Sequence, residues 1–480
     1  MKSYISRFTE VLDSGLNPSI TFGSVYYEVD DIIREINRYT QFLASKGVND
    51  RTRVAIISQN HPHFMFALFG ALSIGAIPVL IEDSQDEATL QGLVKDETLV
   101  LIDRKHDLLH SNIVTFDEIE ASTRASGDAV LANRFPDVDS DRTVMILHSS
   151  GTTGLPKKVH YSESNIDWAM SEYSMLYGIT KQDVVAYMIP ANCCLGVIAC
   201  CLLPMLYGAE VAMILEDNLD EALESMARNK VTILPATPYL YKYMIRKDLR
   251  SYDFTSLRLC DSGGEILPVS VIKKFKEGAG VVITEGYGQT ETTSLTHFLV
   301  SDASGELRLG SIGRPCTGVE CRIVDPAGHD LGLLEVGELL IRGPMVTKGY
   351  DDAELQAEAL DSKGYFKSGD LVYRDEDDFY YLVSRKKDLR GEKPEYAVLL
   401  RRIEEYVYSM DEVVEATVLM DSETLLQILI KPATREPNVL DALRSQIESM
   451  SWSPLQVEHV HFVERIPRTA TGKVRKTLLQ

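Results

Sequence analysis

At 480 residues the chain exceeds what one ordinary hydrophobic core sustains, so two or more domains are expected. Its 45% hydrophobic and 25% charged residues fit a globular protein and exclude a disordered or fibrous one. The 49 Lys+Arg face 71 Asp+Glu, and a net charge of −22 argues against a nucleic-acid partner and against adhesion to an anionic membrane.

The first residues carry no apolar signal region, and the apolar runs Phe64 to Leu72 and Leu195 to Leu206 are too short to span a bilayer. A cytoplasmic location with no stable membrane insertion is the expectation. Seven cysteines, an odd number without a Cys-x-x-Cys pair, fit reduced thiols better than a disulfide framework or a zinc site.

In chain order, residues 24 to 46 read as a helix, with Val29, Ile32, Ile33, Ile36, Tyr39, Phe42 and Leu43 at helical spacing and Gly47 as its stop. Val54 to Ile57 is a short buried strand. A helix opens at Phe64 and closes before Gly75, and strands follow at Ile77 to Ile81, Leu99 to Ile102 and Thr143 to Leu147. Ser164 to Tyr177 predicts a helix. Strands at Val184 to Ile189 and Glu210 to Leu215 flank an apolar helix from Leu195 to Leu206. Further strands are expected at Val231 to Pro235, Leu257 to Cys260 and Val281 to Ile283, with a helix at Tyr239 to Ile245. Short strands alternating with amphipathic helices mean layered α/β sheets with largely parallel strands. From about Leu309 glycine and proline become frequent, and Glu320 to Val324 and Gly337 to Arg342 suggest a β-rich subdomain. After Lys387 a small unit is expected: helices at Val398 to Tyr408 and Val439 to Met450, and strands at Val413 to Met420 and Leu425 to Ile430.

Three strand ends run into Gly/Ser/Thr-rich loops, as a ligand crevice at strand C-termini requires. The first is His148-Ser149-Ser150-Gly151-Thr152-Thr153-Gly154-Leu155-Pro156-Lys157. Glycines let main-chain N–H groups converge on an anion, hydroxyls add donors and Lys157 adds charge. It is not a Walker A loop, because Pro156-Lys157-Lys158 stands where Gly-Lys-Ser/Thr would be. A solvated turn between strands is the competing reading for this loop alone. The other two junctions are Asp261-Ser262-Gly263-Gly264-Glu265 and Gly286-Tyr287-Gly288-Gln289-Thr290-Glu291.

These motifs, followed in order by Gly337-Glu338-Leu339 with Gly349-Tyr350, Ser368-Gly369-Asp370, Arg385-Lys386-Lys387-Asp388 and Pro467-Arg468-Thr469-Ala470-Thr471-Gly472-Lys473, resemble the adenylate-forming superfamily. That superfamily contains acyl- and aryl-CoA synthetases, luciferase and peptide-synthetase adenylation domains. The resemblance implies an α/β fold: a large N-terminal domain of layered sheets plus a β-rich subdomain, at residues 1–386, and a small mobile α+β C-terminal domain at 387–480. It implies a carboxylate activated by ATP to an acyl-adenylate, then passed to a thiol. Lys473 would bridge the carboxylate and the α-phosphate, Thr290 would donate to that phosphate, and Glu291 would hold Mg²⁺. Ser149, Ser150, Gly151, Thr152, Thr153, Gly154 and Lys157 would hold the outer phosphates. Tyr287 would stack on adenine beside Gly286, Gly264 and Glu265 would line the adenine and acyl pockets, and Asp370 and Arg385 would hold the ribose. Lys387 would be the hinge. The acceptor expected is CoA; a phosphopantetheinyl carrier protein is the alternative, and an idle relative serving as a binding protein is a third reading. The complete polar set argues against the third.

The sequence departs from that pattern in places. Asp388-Leu389-Arg390-Gly391 is short where a β-hairpin is usual, and Pro394 to Arg402 is long, which bears on the thiol-transfer half and on the acceptor. Lys158 replaces a glycine, and Glu163 a histidine. Asn192-Cys193-Cys194 stands where other acids meet a histidine or aromatic residue. No aspartate lies between Val184 and Tyr207, so an α-amino acid is disfavoured as substrate. Compact, uncharged residues there fit either a roomy acyl pocket or plain core.

Overall fold

The computed structural model describes residues 4–123, 135–149, 155–216, 218–301, 306–391, 393–469 and 471–479. Two large twisted sheets carry the first part of the chain. The seven-stranded sheet runs in the order 349–350, 157–162, 143–149, 77–82, 53–58, 99–102, 113–115. The nine-stranded sheet runs 314–315, 297–298, 283–287, 259–263, 233–236, 184–187, 210–213, 19–22, 25–27. Their central strands are parallel, as the short apolar runs predict, and the edges are antiparallel except at 113–115, which pairs in parallel with 99–102.

Strand alternation sorts the side chains into layers. Val54 and Ile56 face a central core shared with Ile20, Val185 and Val211 of the other sheet, while Ala55 and Ile57 face an outer core with Leu90 and Leu93. Helices lie between the sheets. Pro62–Ser73 is apolar on every side and buried throughout its first eleven positions except His63, as a helix sandwiched between layers must be. Pro62 stands in its first turn and His61 caps it, accepting the His63 N–H. The far face of the nine-stranded sheet packs on helices Leu219–Arg228, Pro238–Met244 and Val269–Ala279.

Several boundaries differ from the sequence expectation. The helix predicted from residue 24 starts at Val29, because Val25–Tyr27 is β-branched and aromatic and pairs as a strand with Ile20–Phe22. Strand 184–189 stops at Tyr187, ahead of Pro190. The predicted helix 195–206 is a π-helix at Gly196–Leu202 that tightens to an α-helix at Leu203–Tyr207. A side chain at Gly196 would meet the Pro190 carbonyl oxygen at 2.5 Å, so the wide turn and the glycine go together. Strand Lys157–Ser162 was not anticipated; it runs antiparallel to Thr143–Ser149, so the Ser/Thr/Gly loop joins two hairpin strands.

The β-rich part is a four-stranded antiparallel sheet of Glu320–Val324, Gly337–Arg342, Phe366–Arg374 and Tyr380–Arg385. Beyond it, helices Tyr396–Tyr408 and Pro437–Glu448 pack on a three-stranded sheet with its own core. Its third strand, Gln456–Phe462, carries His459 and His461 and lacks the apolar run that marks the other two. Between Arg385 and Tyr396 the described residues form a single short 3₁₀ turn, Lys386–Asp388, and no strand, consistent with the shortened sequence there. Among the described residues no helix is long and apolar enough to cross a membrane.

Lys158, the departure beside the loop, pairs with Glu97, whose side chain is fully buried. Removing the lysine strands that carboxylate. Lys158→Ala is expected to cost about 3 kcal/mol of stability, seen as a lower urea midpoint, and Lys158→Met combined with Glu97→Gln to recover most of it.

Candidate active site

A cleft of about 620 Å³ opens where the two large sheets, the β-rich sheet and the C-terminal unit meet. Strands Leu259–Gly263 and Ile283–Tyr287 are parallel neighbours, so two of the three Gly/Ser/Thr junctions emerge side by side. The third arrives from the other sheet. The Tyr161 hydroxyl, on strand Lys157–Ser162, donates to the Thr290 carbonyl at 2.8 Å and ties the sheets together behind the cleft.

Asp370 is 1% exposed and lines this cleft. It stands directly opposite Arg385 on paired antiparallel strands, with Oδ1 3.2 Å from the guanidinium Nε. Its Oδ2 accepts the Tyr287 hydroxyl at 2.7 Å and Gln289 Nε2 at 2.7 Å. Burial pushes the Tyr287 phenol well above its ordinary value, with the Asp370 charge adding to it, and Asp370 in turn raises Arg385. The Arg385 contact is an ion pair without hydrogen-bond alignment, so Oδ1 keeps its acceptor capacity. A buried carboxylate with one oxygen held and one open suits a diol or hydroxyl ligand.

Thr290 and Glu291 lie in a 3₁₀ turn held by a reciprocal cap between Gln289 and Thr292. Thr293 and Ser294 follow with φ of 49° and 78°, a strained conformation for side-chain-bearing residues and one common at binding loops. Glu291 Oε1 accepts the Tyr350 hydroxyl at 2.9 Å, and the Lys157 ammonium sits 5.5 Å from the Tyr350 ring centroid. Ser149 is buried at the end of its strand. Ser150, Gly151, Thr152, Thr153 and Gly154 lie outside the described residues.

Lys473 enters the cleft from the C-terminal unit. A Cβ at Gly264 would be 3.6 Å from Lys473 Cε. The turn that presents it is built for the purpose. Thr469 Oγ1 accepts the Lys473 N–H, the Thr469 N–H donates to the Lys473 carbonyl, and Gly472 adopts a φ of +86°. Gly472 packs so closely on Tyr239 that an added Cβ would come within 2.6 Å of it. Glu265 does not simply line the cleft. It accepts the Val474 N–H at 2.6 Å and Arg468 Nη1 at 3.2 Å, so it anchors this turn. Arg468 is itself clamped by Glu415 at 2.6 Å. Lys387 borders the same cleft, and burial followed by the Arg385 charge lowers its pKa.

The same cleft is also lined by Tyr173, Ile189, Asn192, Cys193, Cys194 and Ser294. Burial pushes the Cys193 thiol up to about 12 and raises Cys194 as well, so both are neutral, compact wall groups. Cys200 and Cys201 are core. The sequence did not assign roles to Gln289, Tyr350 or Arg468. Each lies inside a quoted motif, but its partner is a residue far away in the chain.

A match to the family described as AMP-binding enzyme covers residues 20–351. The chain belongs to the AMP-binding enzyme family. Among its curated relatives, the long-chain-fatty-acid–CoA ligase of Bacillus subtilis (strain 168) is 27% identical over 96% of this chain and 91% of the relative. The 4-coumarate–CoA ligase-like 4 protein of Oryza sativa subsp. japonica is 30% identical over 88% and 82%. Among solved structures, the anthranilate CoA ligase AuaEII in complex with anthranoyl-AMP superposes with a TM-score of 0.88 at 21% identity, covering 99% and 96% of the two chains. The layered fold with its smaller C-terminal unit is therefore the fold of these enzymes.

Beneath Tyr287, His297 is wholly buried, bonded through Nδ1 to Thr296 Oγ1 and packed against Tyr287 and Tyr380. Burial pushes its pKa from 6.5 down to about 3. The stability it contributes is present above pH 6.5 and is lost as pH falls toward about 3. Across that window, urea midpoints of His297→Gln are expected to fall less on acidification than those of the unmodified protein.

Proposed function

We propose that this enzyme is an AMP-forming ligase that joins a small carboxylic acid to the thiol of CoA. The observation that carries the reading is the presence of Lys473, from the C-terminal unit, in the same cleft as Tyr287, Thr290, Asp370 and Arg385. Two anions must meet in a chain with a net charge of −22, so a local cation is needed to screen their repulsion.

In the first half-reaction a carboxylate oxygen of the acid attacks the α-phosphorus of ATP. The bond to the bridging oxygen breaks and pyrophosphate leaves. Lys473 spans the carboxylate and the α-phosphate, and Thr290 donates to the same phosphate. Tyr287 lies against adenine. Asp370 accepts the ribose hydroxyls through its open Oδ1, with Arg385 beside it. Ser149, Lys157 and the 150–154 loop hold the leaving phosphates. Glu291 is a single carboxylate facing that region, which fits Mg²⁺, a cation that takes one or two carboxylates plus phosphate oxygens; it would neutralise phosphate charge. In the second half the thiol sulfur attacks the acyl carbon, the mixed-anhydride bond breaks, and AMP leaves with the thiol proton released.

We place the division at residues 1–386 and 387–480, with Lys387 as the hinge that lets the C-terminal unit exchange poses between the halves. The reach of Lys473 into the cleft corresponds to the adenylating pose. A carrier-protein thiol as acceptor is the second reading, favoured by the lack of any strand among the described residues between Arg385 and Tyr396.

Pyrophosphate release with Mg-ATP and a panel of acids, run with and without CoA, tests the proposal. Release that rises with CoA for one acid, with AMP and acyl-CoA in equal amounts, is expected. A burst that CoA leaves unchanged would transfer the reading to a carrier protein. Lys473→Ala should lower adenylate formation about 1,000-fold. It should leave thiol transfer from supplied acyl-adenylate largely intact; loss of both halves together would refute the two-pose assignment.

A further inference from the structure

One buried acidic group on the cleft wall is not used by the chemistry above. Asp261 lies on strand Leu259–Gly263, is 1% exposed and still borders the cleft. Its Oδ2 accepts the hydroxyl of the fully buried Tyr177 at 2.7 Å. Its Oδ1 has no hydrogen-bond partner, although the Gly286 and Ser262 amides lie near it. Among the described residues no lysine or arginine is paired with it. Burial pushes the carboxyl up to about 7, with Tyr177 and those two amides pulling the other way.

A carboxylate is an expensive way to hold one tyrosine hydroxyl. A serine or asparagine oxygen would accept the same bond without leaving a second buried oxygen unsatisfied. Two bare glycines border that buried oxygen. Gly263 and Gly286 are register partners on adjacent strands, and both are bare. A Cβ at Gly286 would lie 3.1 Å from Asp261 Oδ1 and would crowd it. Tyr173, edge-on to Tyr177 at 5.2 Å between ring centroids, stands on the cleft wall close by.

Lys473 approaches Gly264, three residues further along the same segment. At a strand rise of about 3.3 Å per residue, Asp261 lies roughly 10 Å along the strand from the point where Lys473 approaches Gly264. That span suits one aromatic ring or a short carbon chain.

We infer that Asp261 is the distal specificity residue of the acyl pocket, and that the acid activated here carries a hydroxyl or amino group at its far end that donates to Asp261 Oδ1. The inference rests on the ligase reading and narrows its substrate class. A site built to pair with a donor discriminates against an analogue that lacks one, because the buried acceptor is then left unmet.

ATP–pyrophosphate exchange is the test, with two matched series of acids: benzoates carrying a para methyl, hydroxyl or amino group, and pentanoates carrying the same three groups at the terminal carbon. In at least one series, the hydroxyl or amino member is expected to exceed the methyl member by about 30-fold in kcat/KM, as the loss of a hydrogen bond to a charged acceptor implies. In Asp261→Asn, whose amide can present donors instead, that ratio should fall to within about threefold. A parent enzyme that accepts the methyl acids as well or better overturns the inference, whether or not the variant folds. So does an Asp261→Asn enzyme of parental melting temperature that keeps the preference. Exchange with none of the acids in either series, or with any other acid tried, would bring down the ligase reading and this inference with it, whereas exchange with apolar acids alone brings down only the inference.

Discussion

Glu265 accepts the main-chain N–H of Val474 and one nitrogen of Arg468, and the position of Lys473 depends on those two bonds. The carboxylate stands on the first large domain and both donors on the last fifteen residues of the chain. Arg468 is nearly enclosed, with 7% of its side chain exposed, and is shared with Glu415 of the C-terminal sheet. The pairing is thus desolvated enough to be directional, yet it joins groups that remain charged when apart. Such a contact is strong in one geometry and is replaced by hydration when it opens, which suits the exchange of poses proposed for this unit. Around it the C-terminal unit docks through similar polar contacts: Lys242 to the Tyr408 hydroxyl, the Val269 N–H to Glu405, and Arg401 to the Leu267 carbonyl. The large apolar cores stay within each unit, and one small cluster of Leu371, Val383 and Ala397 joins the two.

The cleft also reconciles an acidic chain with a polyanionic substrate. Several negative groups near it are neutralised locally: Asp370 by Arg385, Glu265 and Glu415 by Arg468, Glu338 by Lys386. Lys387 and Lys473 also border the cleft.

The pocket's inner end follows a different logic. Its walls include neutral thiols, tyrosines and an asparagine, and Asp261 adds a buried carboxyl held on a single side. Uncharged walls of low dielectric make every polar group inside them count, so specificity there rests on whether one acceptor is satisfied.

Much was legible in the sequence because it is local. The apolar runs from Val54 to Ile57, Val144 to Leu147 and Val413 to Met420 can be little but strands, and the spacing from Val29 to Leu43 can be little but a helix. The ordered motifs from Ser149 to Lys473 carried the family, because loops that hold phosphate and turns that present lysine use glycine and hydroxyl residues at fixed spacing. What tertiary structure decided was partnership. Nothing near Gln289 says that it clamps Asp370, 81 residues away, and nothing near Lys158 says that Glu97 will be buried beneath it. The segment from Val25 to Tyr27 became a strand because an edge was open to receive it, and Gln456–Phe462 became one without an apolar run for the same reason. Asp261 looked like the end of a strand entering a turn; only the meeting of two sheets and the tyrosines of Glu163–Tyr177 made it the floor of a pocket. Sequence sets what each residue can offer over a few neighbours, whereas burial and hydrogen-bond partners depend on chain segments that only folding brings together.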